Sequence, residues 1–486
     1  MKTVEFVDQT LRDGQQSWWG MRLRLGMALP IAELTDRIGY HTVDLTGSSL
    51  FEVLVRYCRE DPWEFLRAMK EAMPRSRLRA GTRSNGIVTF GLTADEVMEL
   101  WVRRLCANGI GSFWIYDCLY NIEKMGRLVK AVRSEGADAI VTIPYAESPA
   151  HTDEYYAARA TELAGLGPDG LLLIDPAGIL PPERTRTLIP AIQKAIGELP
   201  LELNFHTNGT YAQWSYLEGI ALGAQRLHTA SRPVANGPAV PSIEMMLVNL
   251  RATGADADLD EKHLPAIAAH LEAVAASEGW PVGQPFEYDA RVHQHQLPGG
   301  MMGTLRNQLK ERGIEHQLDA VLGEIAMIRR ELGYPPMATP FSQIAGTQAV
   351  LNLTAKERYA MVTDEIVMYC AGHYGPSVAP MDQDVVDRVM STPRARELAG
   401  TEPPQPTLRE LRASFGETLS DDELLLRLLI SDDAIAAMRA AGPPRRDYPL
   451  PPSPEARLLR RILQHPAGRY LHVDTPEFTV TLRRDG

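Results

Sequence analysis

Four side chains carry the types that chemistry needs. Arg12 and Asp13 are adjacent in "DQTLRDGQQS", and His206 and Asn208 form a His-x-Asn pair in "LELNFHTNG". On a strand, residues two apart point to the same side. With Asp13 opposite, the pair offers an oxygen and nitrogen donor set for a divalent cation. Imidazole suits zinc or manganese, and the Asp and Asn oxygens suit harder ions. The same residues read equally as hydrogen-bonded groups lining a pocket. Arg12 has the charge to hold a carboxylate or enolate oxygen; its plainer role is a salt bridge. A third stretch, "GPDGLLLIDPAGILPP", runs from apolar Leu171–Ile174 straight into Asp175. It is a buried strand stopping at a charged loop, with Ile174 in the last position.

Elements that position such residues are legible from residue 1 to about 250. Short apolar strands ("TVEFVDQT", "HTVDLT", "RLRAGT", "SFWIYD", "DAIVTIPY", "GLLLIDPAG", "LELNFHTNG", "QRLHTA") alternate with amphipathic helical patterns such as "DPWEFLRAMKEAM". Continuous apolar strands separated by helices predict a parallel sheet covered by helices. Eight units of this size predict a (β/α)₈ barrel, an α/β fold. A doubly wound sheet is the alternative, but no Gly-rich phosphate turn follows an early strand. The predicted strands end near Arg12 and Asp13, Asp44, Asp117, Tyr145, Asp175, His206 and Asn208, and His228. In such barrels the C-terminal strand ends form the active-site face. Any one of these residues alone could simply cap the following helix.

We therefore expect a barrel domain over residues 1–290 and a mainly helical domain over 291–445. Residues 446–486 are expected to form a proline-rich linker and a short docking or truncated carrier-like tail, read as a helix followed by strands. The net charge of −12 argues against a nucleic-acid surface. The four scattered cysteines read as reduced thiols of a cytoplasmic protein. No apolar run reaches the length of a membrane span, and the N-terminus reads as a strand rather than a signal peptide.

The stretches "DQTLRDGQQS", "EDPWEFLR", "PYAESPAHTDEYY", "DPAGILPP", "HQHQLPGGMMGTLRNQL", "LGYPPMATPFSQIAGTQAVLNL" and "SDDELLLRLLI" follow one another from residue 1 to about 440. In this order the sequence resembles the carboxyltransferase component of biotin-dependent enzymes: pyruvate carboxylase, the oxaloacetate decarboxylase alpha subunit and the pyruvate-handling transcarboxylase subunit. The resemblance implies carboxyl transfer between carboxybiotin and an enolisable carbonyl compound at a divalent metal (zinc, manganese or magnesium). The implied ligands are Asp13, His206, a second His position held here by Asn208, and a carboxylated Lys position held here by Ile174. An isoleucine cannot coordinate, so the resemblance implies an altered metal site.

On the substrate side, the resemblance makes Gln16 a substrate contact and Arg12 catalytic. Ala80 is expected to occupy the position of the family's substrate arginine and Ile87 that of a tyrosine. Arg83 is a candidate substitute, and Arg79 is expected to have the opposite strand polarity. On the biotin side, Thr339 corresponds to a proton-shuttling threonine and Ser342 to a biotin-contacting serine. The one "AMK" triplet, Ala68–Lys70, falls on a predicted barrel helix, so biotin is expected on a separate biotin carboxyl carrier protein, loaded by a biotin carboxylase subunit. The chain is expected to be a homodimeric carboxyltransferase subunit acting on a small acceptor other than pyruvate. Alternatives are a pyruvate carboxylase or oxaloacetate decarboxylase subunit with an altered metal site, and a non-catalytic scaffold of a carboxylase complex.

Overall fold

In the computed structural model, which describes residues 3–88, 91–400, 403–450, 470–474 and 479–483, eight strands close a parallel barrel in chain order. They are β1 (Glu5–Asp8), β2 (Thr42–Gly47), β3 (Leu78–Arg83), β4 (Ile110–Tyr116), β5 (Asp138–Pro144), β6 (Gly170–Asp175), β7 (Leu201–Phe205) and β8 (Arg226–Thr229). β8 closes the barrel on β1, with Glu5–Asp8 facing Arg226–Thr229 in register. Helices between the strands cover the outside, as the near-continuous apolar strands require. Local signals set their starts. Pro62–Ala72 opens with Pro62 in its first turn, and Asp61 accepts from Trp63 N and Glu64 N. Lys70, at the end of that helix, donates to the carbonyls of Met73, Pro74 and Ser76, a helix-terminating role.

The barrel interior is not the usual stack of branched apolar side chains. One side is apolar: Trp114 of β4, Ile140 of β5 and Leu172 of β6 form a small buried cluster. The other is a buried polar chain. Arg79 of β3 makes a two-armed pair with Glu202 of β7 at 2.5 and 3.1 Å, both fully buried. Glu202 Oε2 lies 2.9 Å from His228 Nε2, and His228 Nδ1 lies 2.8 Å from Gln9 Nε2 and 3.1 Å from Asn204 Nδ2. Both groups facing Nδ1 are amide donors, so the His228 proton sits on Nε2 and is donated to Glu202. Burial, the largest cause, lowers the His228 pKa, in keeping with a neutral ring. Arg79 thus faces the interior, together with Gly81, with the strand polarity opposite to that of Ala80. Ala80 alternates to the opposite side.

Beyond the barrel the chain is helical. We label α1 (Gly299–Glu311), α2 (Leu318–Glu331) and α3 (Phe341–Thr354). Their apolar residues Leu305, Leu309, Ile325, Ile328, Phe341 and Ile344 share one core with Cys118 and Leu119 from the loop after β4. Arg329 of α2 donates to Glu147 O at 2.7 Å, and Gln296 brackets the same residue by accepting from its N–H and donating to its carbonyl. The helical region is thereby tied to the β4 and β5 ends of the barrel. Farther on, Asp422 before "ELLLRLL" accepts from Arg104 Nε at 2.7 Å on a barrel helix. Met1–Asp447 forms one compact unit and Tyr448–Gly486 a second. Within the second, β9 (Tyr470–Asp474) and β10 (Thr479–Arg483) make an antiparallel pair. The tail helix expected before them lies outside the described residues.

Candidate active site

Arg12 and Asp13 ride on a single π-helical turn, Thr10–Gly14, in which Gly14 N donates to Gln9 O at 2.9 Å. Such wide turns are frequent at functional sites. Gly14 is required there: a Cβ would meet Val234 at 2.8 Å. The turn aims both side chains into the barrel mouth, where they line a cavity of about 540 Å³. Gln16, Trp114, Tyr116, Ile174 and His206 line the same cavity, and so do Met301, Gln308, Thr339, Ser342 and Gln343 from the helical region. The cavity is therefore walled by the barrel below and by α1, α3 and the segment before α3 above.

Arg12 is held on one edge. Gln9 Oε1 accepts from its Nε at 3.1 Å and from its Nη2 at 2.8 Å, and Asp44 Oδ2 lies 3.3 Å from Nε. Its Nη1 has Asp13 Oδ1 at 3.6 Å. That outer edge is what remains for a substrate oxygen. Asp44 Oδ2 also accepts from Gln9 Nε2 and from Trp114 Nε1, each at 2.9 Å. Asp13 Oδ1 lies 3.2 Å from His206 Nε2. Burial pushes the Asp13 pKa up, but His206 and Arg12 outweigh it and bring it down to about 2. Asp13 is thus an anion throughout the neutral range. Asp13 Oδ2 and His206 Nδ1 are buried without a hydrogen-bond partner among the described residues.

The upper wall has its own polar triad. Gln343 Nε2 donates to Thr339 Oγ1 at 3.1 Å, and Ser342 Oγ donates to Gln343 Oε1 at 2.9 Å. With its oxygen accepting from Gln343, the Thr339 hydroxyl proton is left for an acceptor in the cavity.

A family model described as "Conserved carboxylase domain" matches residues 292–451. The chain is 33% identical over 486 residues to a pyruvate carboxylase subunit of Methanocaldococcus jannaschii, covering 99% of this chain and 84% of that one. The chain belongs to the carboxyltransferase family of biotin-dependent carboxylases. It is also 32% identical over 436 residues to the 2-oxoglutarate carboxylase large subunit of Hydrogenobacter thermophilus, covering 88% of this chain and 67% of that one. The fold matches the carboxyl transferase domain of Rhizobium etli pyruvate carboxylase solved with oxamate and biotin, with a TM-score of 0.83 at 22% identity. That match covers 100% of this chain and 84% of the other.

Arg12, Asp13, Gln16, His206, Thr339 and Ser342 of this carboxyltransferase all line one cavity. Asn208 does not join them. Its carboxamide is spent on backbone: the nitrogen donates to Gly237 O at 3.1 Å and the oxygen accepts from Gly299 N at 3.0 Å. Arg83 lies to one side, donating to Ile87 O at 3.1 Å and bordering a small recess with Asp117, Cys118 and Tyr374. It does not line the main cavity.

The donor set for a metal is correspondingly short. Asp13 and His206 are close enough to share an ion, but Ile174 offers no lone pair and Asn208 is engaged elsewhere. No group of three or more His, Cys, Asp or Glu among the described residues is arranged to hold a metal. Catalytic zinc sites use three protein ligands, so the residues present do not fit the family's metal centre. Sequence reasoning missed Gln9, Trp114 and Gln343. Gln9 and Gln343 each carried a local signal, three residues before Arg12 and four after Thr339; Trp114 acquires its meaning only from Asp44, distant in the chain. No described helix is long and apolar enough to cross a membrane.

Proposed function

We propose that this carboxyltransferase moves a carboxyl group between carboxybiotin on a separate biotin carboxyl carrier protein and a small carbonyl-containing acceptor other than pyruvate. A biotin carboxylase subunit would load the carrier. The observation that carries this reading is the convergence of Arg12 and Gln16 from the barrel with Thr339 and Ser342 from the helical region on one cavity. Biotin when bound supplies carbon dioxide on losing its carboxyl group, and its ring nitrogen then needs a proton. Thr339 Oγ gives that proton, its oxygen steadied by Gln343. The same oxygen then takes a proton from the carbon next to the acceptor's carbonyl. The outer edge of Arg12 holds the oxygen on which negative charge builds, the kind of contact that strengthens in the transition state. The enolate carbon bonds to carbon dioxide, so the carboxyl group and one proton change places. No step is assigned to a metal.

The test is carboxyl transfer with a carboxylated carrier protein and Thr339→Ala. Loss of one proton-transfer group should lower the rate roughly 100-fold or more, with circular dichroism unchanged. A Thr339→Ala variant at wild-type rate would overturn the assignment. Chelator treatment of the isolated transfer step should leave the rate unchanged.

The 3.2 Å approach of Asp13 to His206 favours a second reading, a pyruvate or oxaloacetate enzyme with a rebuilt metal site. It predicts oxaloacetate decarboxylation stimulated by free biotin and abolished by chelators; absence of that activity in a folded sample removes it.

A further inference from the structure

One wall of the cavity is aromatic and apolar. Trp114 and Tyr116 of β4 stack with ring centroids 5.2 Å apart and planes 24° from parallel. Pro144, Ile174 and Pro176 continue the surface. Trp114 is fixed from three sides. Its Nε1 donates to Asp44, Arg12 Cζ lies 5.1 Å from the ring centre, and its six-membered ring lies over Gly81. A Cβ on Gly81 would meet that ring at 2.3 Å, so only glycine admits it. Burial raises the Tyr116 pKa, so its ring remains neutral.

Charge on the wall is already balanced. Among the described residues, Arg12 is the one Lys or Arg on the cavity lining, and it faces two carboxylates, Asp13 at 3.6 Å and Asp44 at 3.3 Å. The nearest interior alternative, Arg79, is fully buried, consumed by Glu202, and does not reach the cavity. A carboxylate on the acceptor, in addition to its carbonyl, would find no surplus Lys or Arg on this lining, and burying an unpaired anion is costly. A single carbonyl oxygen needs only the outer edge of Arg12.

We propose, on the carboxyltransferase reading above, that Trp114 is the specificity-determining residue. The acceptor class it selects is a neutral ketone carrying a flat apolar substituent, rather than a 2-oxo acid. The carbonyl oxygen goes to Arg12, the substituent lies along Trp114, Tyr116 and Ile174, and the enolisable carbon faces the Thr339 side.

The experiment is calorimetric titration of the full chain with two probes, acetophenone as the neutral aryl ketone and oxamate as the 2-oxo acid analogue. Acetophenone should bind at least ten-fold more tightly than oxamate. Trp114→Ala should weaken acetophenone at least ten-fold, and Trp114→Phe, which keeps a flat apolar face, less than three-fold. Tighter binding of oxamate to the wild-type chain would overturn the assignment, even if Trp114→Ala does not fold. So would unchanged acetophenone binding in a folded Trp114→Ala protein. Transfer from the carboxylated carrier separates the two claims. Transfer to 2-oxobutyrate with no acetophenone binding overturns this inference and leaves the carboxyltransferase proposal standing. Trp114-dependent acetophenone binding with no transfer to any ketone upholds this inference and sinks that proposal.

Discussion

The two sides of the barrel interior are built on opposite principles. The β1, β2, β7 and β8 side, with Arg79 reaching in from β3, is a chain of charges and amides: Arg79, Glu202, His228, Gln9, Asp44 and Arg12. The β4, β5 and β6 side is aromatic and aliphatic, with Trp114, Ile140 and Leu172 below and Tyr116 and Ile174 at the cavity. The polar side fixes one orientation of Arg12, because each member has directed partners and little freedom to rotate. The apolar side has no such directionality, and its shape can change by a single substitution while Arg12 stays in place. Orientation and selection are thus assigned to different walls of one barrel.

The sharpest way to break this contrast is Arg79→Met. It leaves Glu202 buried with only His228 and the rim residue Arg226. Breaking a buried pair in this way costs roughly 3–5 kcal/mol, seen as a fall in the denaturant midpoint. Arg79→Met combined with Glu202→Leu should recover much of the loss; a single variant as stable as wild type would mean the polar chain is not what braces the barrel.

A smaller effect tests the link between the polar chain and the mouth. Asp13 has a folded-state pKa of about 2, below its ordinary 3.8. Its stabilising contribution is therefore fully present above about pH 4 and is lost as pH falls through about 2. The shift corresponds to roughly 2 kcal/mol. Asp13→Asn should be less stable than wild type at pH 7 by about that amount, with the gap closing toward pH 2. A gap that stays constant with pH would mean that the ion pair with His206 and Arg12 is not its source.

Least disruptive is Trp114→Phe, which removes the Nε1 hydrogen bond to Asp44 but leaves Gln9 and Arg12 beside that carboxylate. The expected cost is about 1 kcal/mol. A loss several times larger would mean that the aromatic wall is also part of the bracing, and that the two sides are not separable.

What the sequence revealed follows the same division. The eight strands were legible because each is a short apolar run bounded by turns, and the barrel followed from their count. Ile174 at a strand end was legible as a residue that cannot coordinate because the residue type alone decides it. That Arg79 and Ala80 point to opposite faces was legible from strand alternation, but which of the two faces the interior was not, since one residue of register reverses a strand's faces. That Arg79 pairs with Glu202, 123 positions away, has no local trace. Asn208 has the right type and spacing for a ligand, but its amide is taken by a carbonyl and an N–H from two other segments, which no local pattern foretells. Gly81 and Trp114 looked like an ordinary strand glycine and an ordinary strand tryptophan; only the closed barrel shows that one makes room for the other.

The cavity also has a history within each molecule's synthesis. Arg12 and Asp13 are synthesised before the other strands, but β1 has no partner on one edge until β8 follows, and Thr339, Ser342 and Gln343 come later still. At about 5–20 residues per second, tens of seconds separate the two walls. Until β8 is made the nascent barrel presents an open strand edge, the kind of surface that recruits chaperones or other chains. Its dependence on cellular folding assistance should therefore be set by the late arrival of β8 and α3 rather than by the strength of any contact in the finished site.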